Sequence, residues 1–304
     1  MTMPQFALAL FAALSCLNVA CTATPEAPAA TQVAARATAS QADYRPALWS
    51  VEHQGRRSWL FGALPWSEPG ISALPAPVQE ALSQSDQLAS ELRMPVSPTE
   101  VAPLLAALRK PGASFRAGLP AELGTELDQM CQQQSLPCSA LDSLPPFFVV
   151  AALHKLMAQK AGLQNQEPQS SMGLVHRAMK DKPLLELEGL QAGFQLLQSI
   201  PEADQQALLR RLLVSQGQDS VQSYAAWRRG DMAALQAKLE SSAFTPATRE
   251  RVQRQRDQAW SLKIAQRLRE GQRLFVAVAP GHLGSEGLPT LLQAQGFKVE
   301  RVAY

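Results

Sequence analysis

The sequence predicts an α/β protein with a central, largely parallel sheet, an N-terminal β-hairpin and large helical insertions. Short apolar runs rich in β-branched residues recur along the chain, and segments with helical periodicity separate most of them. Leu274–Val278 is the clearest of these runs, because it is unbroken and suits a strand that is buried on both faces. Strands that alternate with helices in this way typically form a parallel sheet through right-handed crossovers.

The first folded segment reads as a hairpin followed by a crossover. Residues 47–53 and 58–64 are strand-like runs that flank Gln54-Gly-Arg-Arg57, a pattern that predicts a β-hairpin. Residues 75–85 then form a helix with proline in its first turn, and residues 86–92 form the next strand. Glu91, at the end of that strand, is therefore expected on the same sheet edge as Pro65.

Two helical blocks make up most of the remaining chain. Their Leu- and Ala-rich segments carry ordinary amphipathic stripes. His154 and His176 fall on these helices without a His or Glu partner at i+3 or i+4, which favours a core or surface role over metal binding. The segments are residues 100–108, 121–134, 146–161 and 172–179, a strand at 183–188, helices at 190–199, 202–214, 220–229, 232–239 and 246–269, and a short helix and a last strand after Val278.

The N-terminal segment predicts export. Residues 5–20 form an apolar run that is too short to span a bilayer and ends in small residues, as a signal sequence does. Leu17-Asn-Val-Ala-Cys21 looks like a lipobox with Cys21 as the lipidated residue, and ordinary cleavage near Ala20 is the alternative. The following Ala/Thr/Pro/Ser/Gln stretch is typical of a flexible tether. We therefore predict a signal peptide (residues 1–20), a tether (21–43) and one α/β domain (44–304).

Composition and cysteine usage agree with an exported protein of the periplasm or cell envelope, held to a membrane by the lipid on Cys21. The net charge is +2 with Lys and Arg spread along the chain, so no nucleic-acid partner is indicated. In an oxidising compartment Cys131 and Cys138 are expected to form a disulfide. A metal site on these two cysteines is not favoured, because no other soft ligand lies near them in the sequence.

Three strands end in groups that can carry chemistry. Glu91, Glu188 and His282 each follow a predicted strand, and the carboxyl ends of parallel strands meet at one edge of a sheet, where ligands bind. One histidine and two carboxylates can hold a divalent cation, or can act as a base with its orienting acids. The alternative is a buried ionic cluster in which the two glutamates pair with an arginine such as Arg256. Spacing along the chain does not choose between these readings.

Six segments occur in an order that resembles a known family. They are Leu48-Trp-Ser-Val, Trp59-Leu-Phe-Gly, Ser90-Glu-Leu, Leu187-Glu188, Arg256-Asp257-Gln-Ala-Trp260 and Phe275-Val-Ala-Val-Ala-Pro-Gly-His-Leu-Gly-Ser-Glu-Gly287. This order is similar to that of the TraB/GumN family, whose relatives include the Tiki metalloproteases. The resemblance implies a pair of Gly-x-x-His motifs that, with acidic residues, hold a divalent metal (Mn, Zn or Co) for peptide hydrolysis. It thereby implies catalytic or metal-binding roles for Glu91, Glu188 and His282, and a catalytic role for Arg256.

The chain departs from the family pattern at three positions. The first motif reads Gly62-Ala-Leu-Pro65, so proline replaces a histidine and supplies neither a metal ligand nor a proton carrier. The second motif reads Ala279-Pro-Gly-His282, and Asp257 stands where the family usually has Asn. We therefore predict a degenerate hydrolase site in a binding or accessory protein of the envelope, with a peptide or protein ligand. The alternative is an active metal-dependent peptidase that uses Glu91, Glu188 and His282.

Overall fold

The computed structural model describes residues 44–68, 71–108, 114–136, 138–164, 169–240 and 243–304. The predicted signal peptide, the tether and Cys21 lie outside these residues. Within the described chain, six strands form one mixed sheet in the order β4-β3-β5-β2-β1-β6. The strands are β1 (Leu48–His53), β2 (Arg56–Gly62), β3 (Gln87–Ser90), β4 (Leu184–Glu186), β5 (Leu274–Val278) and β6 (Lys298–Arg301). The predicted fold class, with its N-terminal hairpin and helical insertions, is confirmed.

The sheet is parallel on one side and antiparallel on the other. β4, β3, β5 and β2 run parallel to one another, whereas β1 pairs antiparallel with both β2 and β6. The hairpin turn consists of only Gln54 and Gly55, both at positive φ (48° and 75°), a geometry that suits the twist of a two-residue hairpin. Arg56 and Arg57, expected in the turn, therefore belong to β2.

Helices cover both faces of the sheet. They are α1 (Ala76–Ser83), α2 (Pro98–Leu108), α3 (Ala121–Gln133), α4 (Pro146–Lys160), α5 (Ser171–Ala178), α6 (Leu190–Gln198), α7 (Glu202–Ser215), α8 (Gln218–Arg228), α9 (Met232–Glu240), α10 (Pro246–Arg249), α11 (Gln255–Arg269) and α12 (Leu288–Ala294). Glu250–Arg254 form a π-helical turn between α10 and α11, where the sequence predicts an uninterrupted helix. Among the helices of the described chain, none combines the length and apolar composition needed to cross a membrane.

β5 lies at the centre of two hydrophobic clusters. Its five residues are all buried, and they alternate between the two faces of the sheet. Phe275 and Ala277 pack with the helical insertions, whereas Leu274, Val276 and Val278 pack with α11 and α12. A strand buried on both faces explains the continuous apolar run seen in the sequence.

The cysteine pair and the two helical histidines lie in the helical insertions, away from the sheet. Cys131 and Cys138 stand at disulfide-bonding distance, with Cα atoms 6.0 Å apart, as predicted. His154 on α4 is buried, and its Nε2 lies 2.7 Å from Ser220 Oγ on α8. Burial lowers the pKa of His154, and also that of His176, to about 4. Both imidazoles are therefore neutral in the folded protein at neutral pH.

Candidate functional site

The carboxyl ends of β3, β4 and β5 bring three sequence-predicted residues together. Glu91 directly follows β3, and Glu188 lies two residues beyond β4. The strand predicted at residues 183–188 spans only Leu184–Glu186, and beyond it the amides of Glu188 and Gly189 both donate to the carbonyl of Glu91. His282 lies in the 3₁₀ turn Pro280–Leu283 that follows β5. The parallel order β4-β3-β5 thus places all three residues on one edge.

Arg256, in the first turn of α11, joins the two carboxylates. Its Nε and Nη2 donate to Glu188 Oε1 and Oε2 at 2.9 and 2.6 Å, a bidentate pair. Nη2 also donates to Glu91 Oε2 at 3.1 Å, and Nη1 donates to the carbonyl of Val252 at 3.1 Å. The side chains of Arg256, Glu91 and Glu188 are only 7%, 3% and 12% exposed, so the cluster is largely shielded from water. A buried guanidinium therefore lies where the two acidic groups converge.

Glu91 also holds the turn that carries His282. Its second oxygen, Oε1, accepts a hydrogen bond from the amide of Ala279 at 2.8 Å. The same oxygen lies 3.9 Å from His282 Nε2. Both oxygens of Glu91 are thus engaged by the protein, which couples the end of β3 to the turn after β5.

Asp257 and Trp260 on α11 fix the imidazole of His282. Nδ1 of His282 lies 2.5 Å from Asp257 Oδ1, and because the Arg256 guanidinium beside Nε2 can only donate, the contacts favour an Nδ1–H that donates to the carboxylate. Nε2 lies 3.4 Å from Arg256 Nη1, and the ring packs against Trp260 with centroids 4.5 Å apart. The Arg256 guanidinium also stacks on Trp260, 4.4 Å from the ring centroid. Since His282 is fully buried, these contacts determine its orientation.

Asp257 is the member of the site that sequence reasoning missed. The sequence marked it only as a departure from the family's Asn, although its position next to Arg256 on one helix was a usable signal. Burial raises the pKa of the Asp257 carboxyl, while the adjacent imidazole and Arg256 act in the opposite direction without cancelling it. A carboxylate that holds an imidazole through Nδ1 is a common way to orient a histidine.

The degenerate first motif packs directly against the second. A side chain on Gly62 would bring its Cβ to 3.2 Å from Pro280, so the two motif segments are in close contact. The carbonyl of Gly62 accepts a hydrogen bond from Trp227 Nε1 at 2.6 Å, and Ser171 Oγ accepts one from the amide of Leu64 at 2.8 Å. Pro65 is half-buried at the end of this segment.

Gly62→Ala is expected to destabilise the protein by about 1 kcal/mol. The added methyl group crowds the rigid ring and Cα of Pro280, and this cost outweighs the loss of backbone freedom that alanine causes in the unfolded chain. Urea unfolding of both proteins measures the difference. Gly118→Ala is the matched control, because its Cβ meets nothing within 4 Å. Equal effects at the two positions would contradict the proposed packing.

The residues as arranged do not fit the divalent metal that the family resemblance implies. The described chain contains no group of three or more His, Cys, Asp or Glu side chains placed to hold a metal ion. Glu91 and Glu188 face a guanidinium, and a divalent cation would compete with that charge for the same oxygens. The Nδ1 of His282 is already paired with Asp257. Metal binding and catalysis by these residues therefore stay predictions.

The fold and site define a class of α/β proteins that gather acidic and imidazole groups at the carboxyl edge of a largely parallel sheet. The chain belongs to the TraB/PrgY/gumN family, whose model matches residues 47–301. The resemblance seen in the sequence is thereby confirmed. No curated protein and no solved structure matches the chain significantly.

Proposed function

We propose that this chain is an exported, lipid-anchored protein of the cell envelope that serves as a binding or accessory protein, not as a hydrolase. Export and anchoring rest on the sequence of residues 1–43, with Cys21 as the lipid acceptor. The main support for a protein that does not hydrolyse peptides is the Arg256 guanidinium, which donates to both Glu91 and Glu188.

The chemistry of the donor set supports this proposal. A hydrolytic metal centre generally needs about three protein ligands and an open position for water. Here a divalent ion would first have to displace Arg256, which is buried, bidentate with Glu188 and stacked on Trp260. Pro65, at the position of the family's first motif histidine, offers no ligand in compensation. The cluster is therefore better suited to tie three strand ends and α11 together.

Metal analysis of the purified mature protein tests the proposal. After incubation with Mn²⁺, Zn²⁺ or Co²⁺ and desalting, we expect well under one ion per chain, because Arg256 already neutralises the acidic groups. Incubation with a mixed peptide library is expected to give no metal-dependent cleavage. His282→Ala is the control in both assays and is expected to behave like the unmodified protein.

A stoichiometric metal together with peptide cleavage that His282→Ala abolishes would overturn the proposal. Pro65→His provides a second measurement on the same scaffold. If loss of the first motif histidine is what removed metal binding, this variant gains metal affinity over the unmodified chain. If the unmodified chain already binds one metal ion per chain, Pro65→His is expected to show no gain in metal content.

The second candidate function is an active metal-dependent peptidase. It is favoured by the gathering of Glu91, Glu188 and His282 in one buried cluster and by the Asp257 carboxylate that orients His282. In this function the three residues would hold the ion once Arg256 had moved away. The metal analysis described above separates the two candidates.

A further inference from the structure

The edge of the sheet opposite the candidate site carries a basic cleft. We call this edge the hairpin edge, because it comprises the hairpin turn at residues 54–55 and the starts of β2, β3 and β5. The cleft has a volume of about 470 Å³. Among the described residues that line it, the charged side chains are Arg56, Arg57 and Arg273 against the carboxylate of Asp86, so its net charge is positive.

Three basic side chains at the hairpin edge contact helix ends and form no ion pair with a carboxylate of the described chain. Arg56 donates to a carbonyl that follows α11, Lys182 donates to carbonyls at the end of α1, and Arg269 donates to a carbonyl that follows α12. The end of a helix carries only about half a negative charge. These contacts therefore leave the hairpin edge with net positive charge.

The ion pairs of the basic cleft are exposed to water. Arg57 pairs with Glu52 and Arg273 pairs with Asp86, both at 2.6 Å, but the two arginine side chains are 54% and 47% exposed. Exposed pairs contribute little, because water and salt screen them. A guanidinium group binds phosphate in the same forked geometry in which it binds a carboxylate. An anionic phosphate group can therefore contact these arginines without a large penalty.

The carboxyl edge of the sheet has the opposite charge. A cleft between α9, the π-helical turn and the loop after His282 is lined, among the described residues, by four acidic side chains and two arginines. Glu286, one of these acidic side chains, is 68% exposed. An anionic surface thus attracts the hairpin edge and repels the carboxyl edge, which gives the domain a preferred orientation.

The predicted tether is long enough to permit this orientation. It joins the domain ahead of β1, which begins at the carboxyl edge because it runs antiparallel to β2. Twenty-two residues separate Cys21 from Tyr44, and a chain of that length spans at most roughly 75 Å. A domain of this size is about 45 Å across, so either edge can reach a membrane that holds a lipid on Cys21.

We infer that the hairpin edge docks on a membrane surface of anionic phospholipids, with Arg56, Arg57 and Arg273 facing the lipid phosphates. Each basic residue that lies near an anionic lipid surface strengthens binding by about fivefold. In this orientation the candidate site points away from the membrane and stays open to ligands in solution. The docking rests on the proposed function, because the lipid on Cys21 is what brings the domain to the membrane.

Co-sedimentation with vesicles tests the docking surface. The chain from residue 21 onward carries Cys21→Ser, so that no lipid is attached, and is mixed with vesicles of phosphatidylcholine alone or with an equal part of phosphatidylglycerol. We expect the protein to bind the anionic vesicles at least about tenfold tighter at low salt. The difference is expected to vanish at about 1 M salt, where the screening length is only about 3 Å. Equal affinity for the two kinds of vesicle at low salt would overturn the docking surface.

Inorganic phosphate distinguishes a lipid surface from a site for the free ion. Added at constant ionic strength, phosphate is expected to leave the binding to anionic vesicles unchanged, because it adds no screening and a single ion does not contact the whole edge. Release of the protein from the vesicles by phosphate would show a site for the free ion and would contradict docking on a surface.

Three substitutions of exposed arginines locate the surface. Arg56→Gln and Arg269→Gln, both at the hairpin edge, are each expected to weaken binding to anionic vesicles by about three- to fivefold. Arg254→Gln is the matched control, because it makes the same charge change at the carboxyl edge, on a side chain that is 54% exposed. It is expected to leave the binding unchanged. Equal effects of all three substitutions would contradict the assignment to the hairpin edge.

Fluorescent labels measure the orientation. Gln272→Cys, beside the basic cleft, and Ser285→Cys, at the carboxyl edge, each place a labelled thiol at an exposed position of the Cys21→Ser chain. A quencher on the lipid headgroups is expected to quench the first label and not the second, and equal quenching would overturn the orientation. A protein that docks in this way but holds metal and cleaves peptides would overturn the proposed function alone. A metal-free, inactive protein that ignores anionic vesicles would overturn only the docking surface.

Discussion

Arg256→Met is expected to lower the free energy of unfolding by about 3–5 kcal/mol. Methionine has a similar length and packs on Trp260, but it leaves Glu91 and Glu188 buried without their shared cation. Removing one partner from a buried ionic cluster costs far more than the net contribution of the intact cluster, because the remaining charges are already desolvated. Urea unfolding at neutral pH, followed by circular dichroism, measures this loss.

Two controls separate the buried cluster from ordinary surface charge. Arg254→Met removes an arginine only two residues earlier, on an exposed side chain, and is expected to change the free energy of unfolding by less than about 0.5 kcal/mol. Glu91→Gln combined with Glu188→Gln in the Arg256→Met background removes the stranded charges and is expected to recover most of the lost stability. A loss below about 1 kcal/mol in Arg256→Met alone would contradict a structural role for the cluster.

The fold was largely predictable because its signals are local. β5 is a continuous apolar run and α11 has a clear amphipathic stripe, so both are visible in the sequence. The π-helical turn was not predictable, since it extends a helical pattern with the same residue types. Nor does any sequence pattern reveal that β5 lies between β2 and β3, although this order places the turn of His282 beside both Gly62 and Glu91.

The candidate site was predictable in membership, and the pairing of both glutamates with Arg256 was one of the alternatives that the sequence left open. Parallel strands must end on one edge, which was enough to gather Glu91, Glu188 and His282. The choice between an ionic cluster and a metal or base site depends on how α11 packs across the edge, and this is set by distant contacts such as Trp260 against His282. The role of Asp257 was missed because it also depends on the packing of α11. Asp257 is one residue beyond Arg256, so its side chain points toward the imidazole of His282 and away from the two glutamates.

Acid is expected to destabilise the protein through its buried helical histidines. Burial holds the pKa of His154 at about 4 in the folded chain, against about 6.5 in the unfolded chain. Between these values the unfolded state binds a proton that the folded state does not, so the stability contributed by the neutral imidazole is present above pH 6.5 and is lost as the pH falls toward 4. His176 has the same sign and the same window.

His154→Gln isolates this effect. Linkage gives a loss of about 2 kcal/mol between pH 7 and pH 5 from His154 alone, so the stability difference between the unmodified protein and the variant should shift by that amount. The raised pKa of Asp257 acts with the opposite sign, stabilising the fold at low pH and less as the pH rises, but it is common to both proteins and cancels in the comparison.

Ser220→Ala is the matched control for His154→Gln. It removes the hydroxyl that lies 2.7 Å from His154 Nε2 but keeps the titrating imidazole. We therefore expect it to lower the free energy of unfolding at both pH values while leaving the acid sensitivity in place. If His154→Gln retains the full pH dependence of the unmodified protein, the acid sensitivity comes from other groups and the depressed pKa of His154 is wrong.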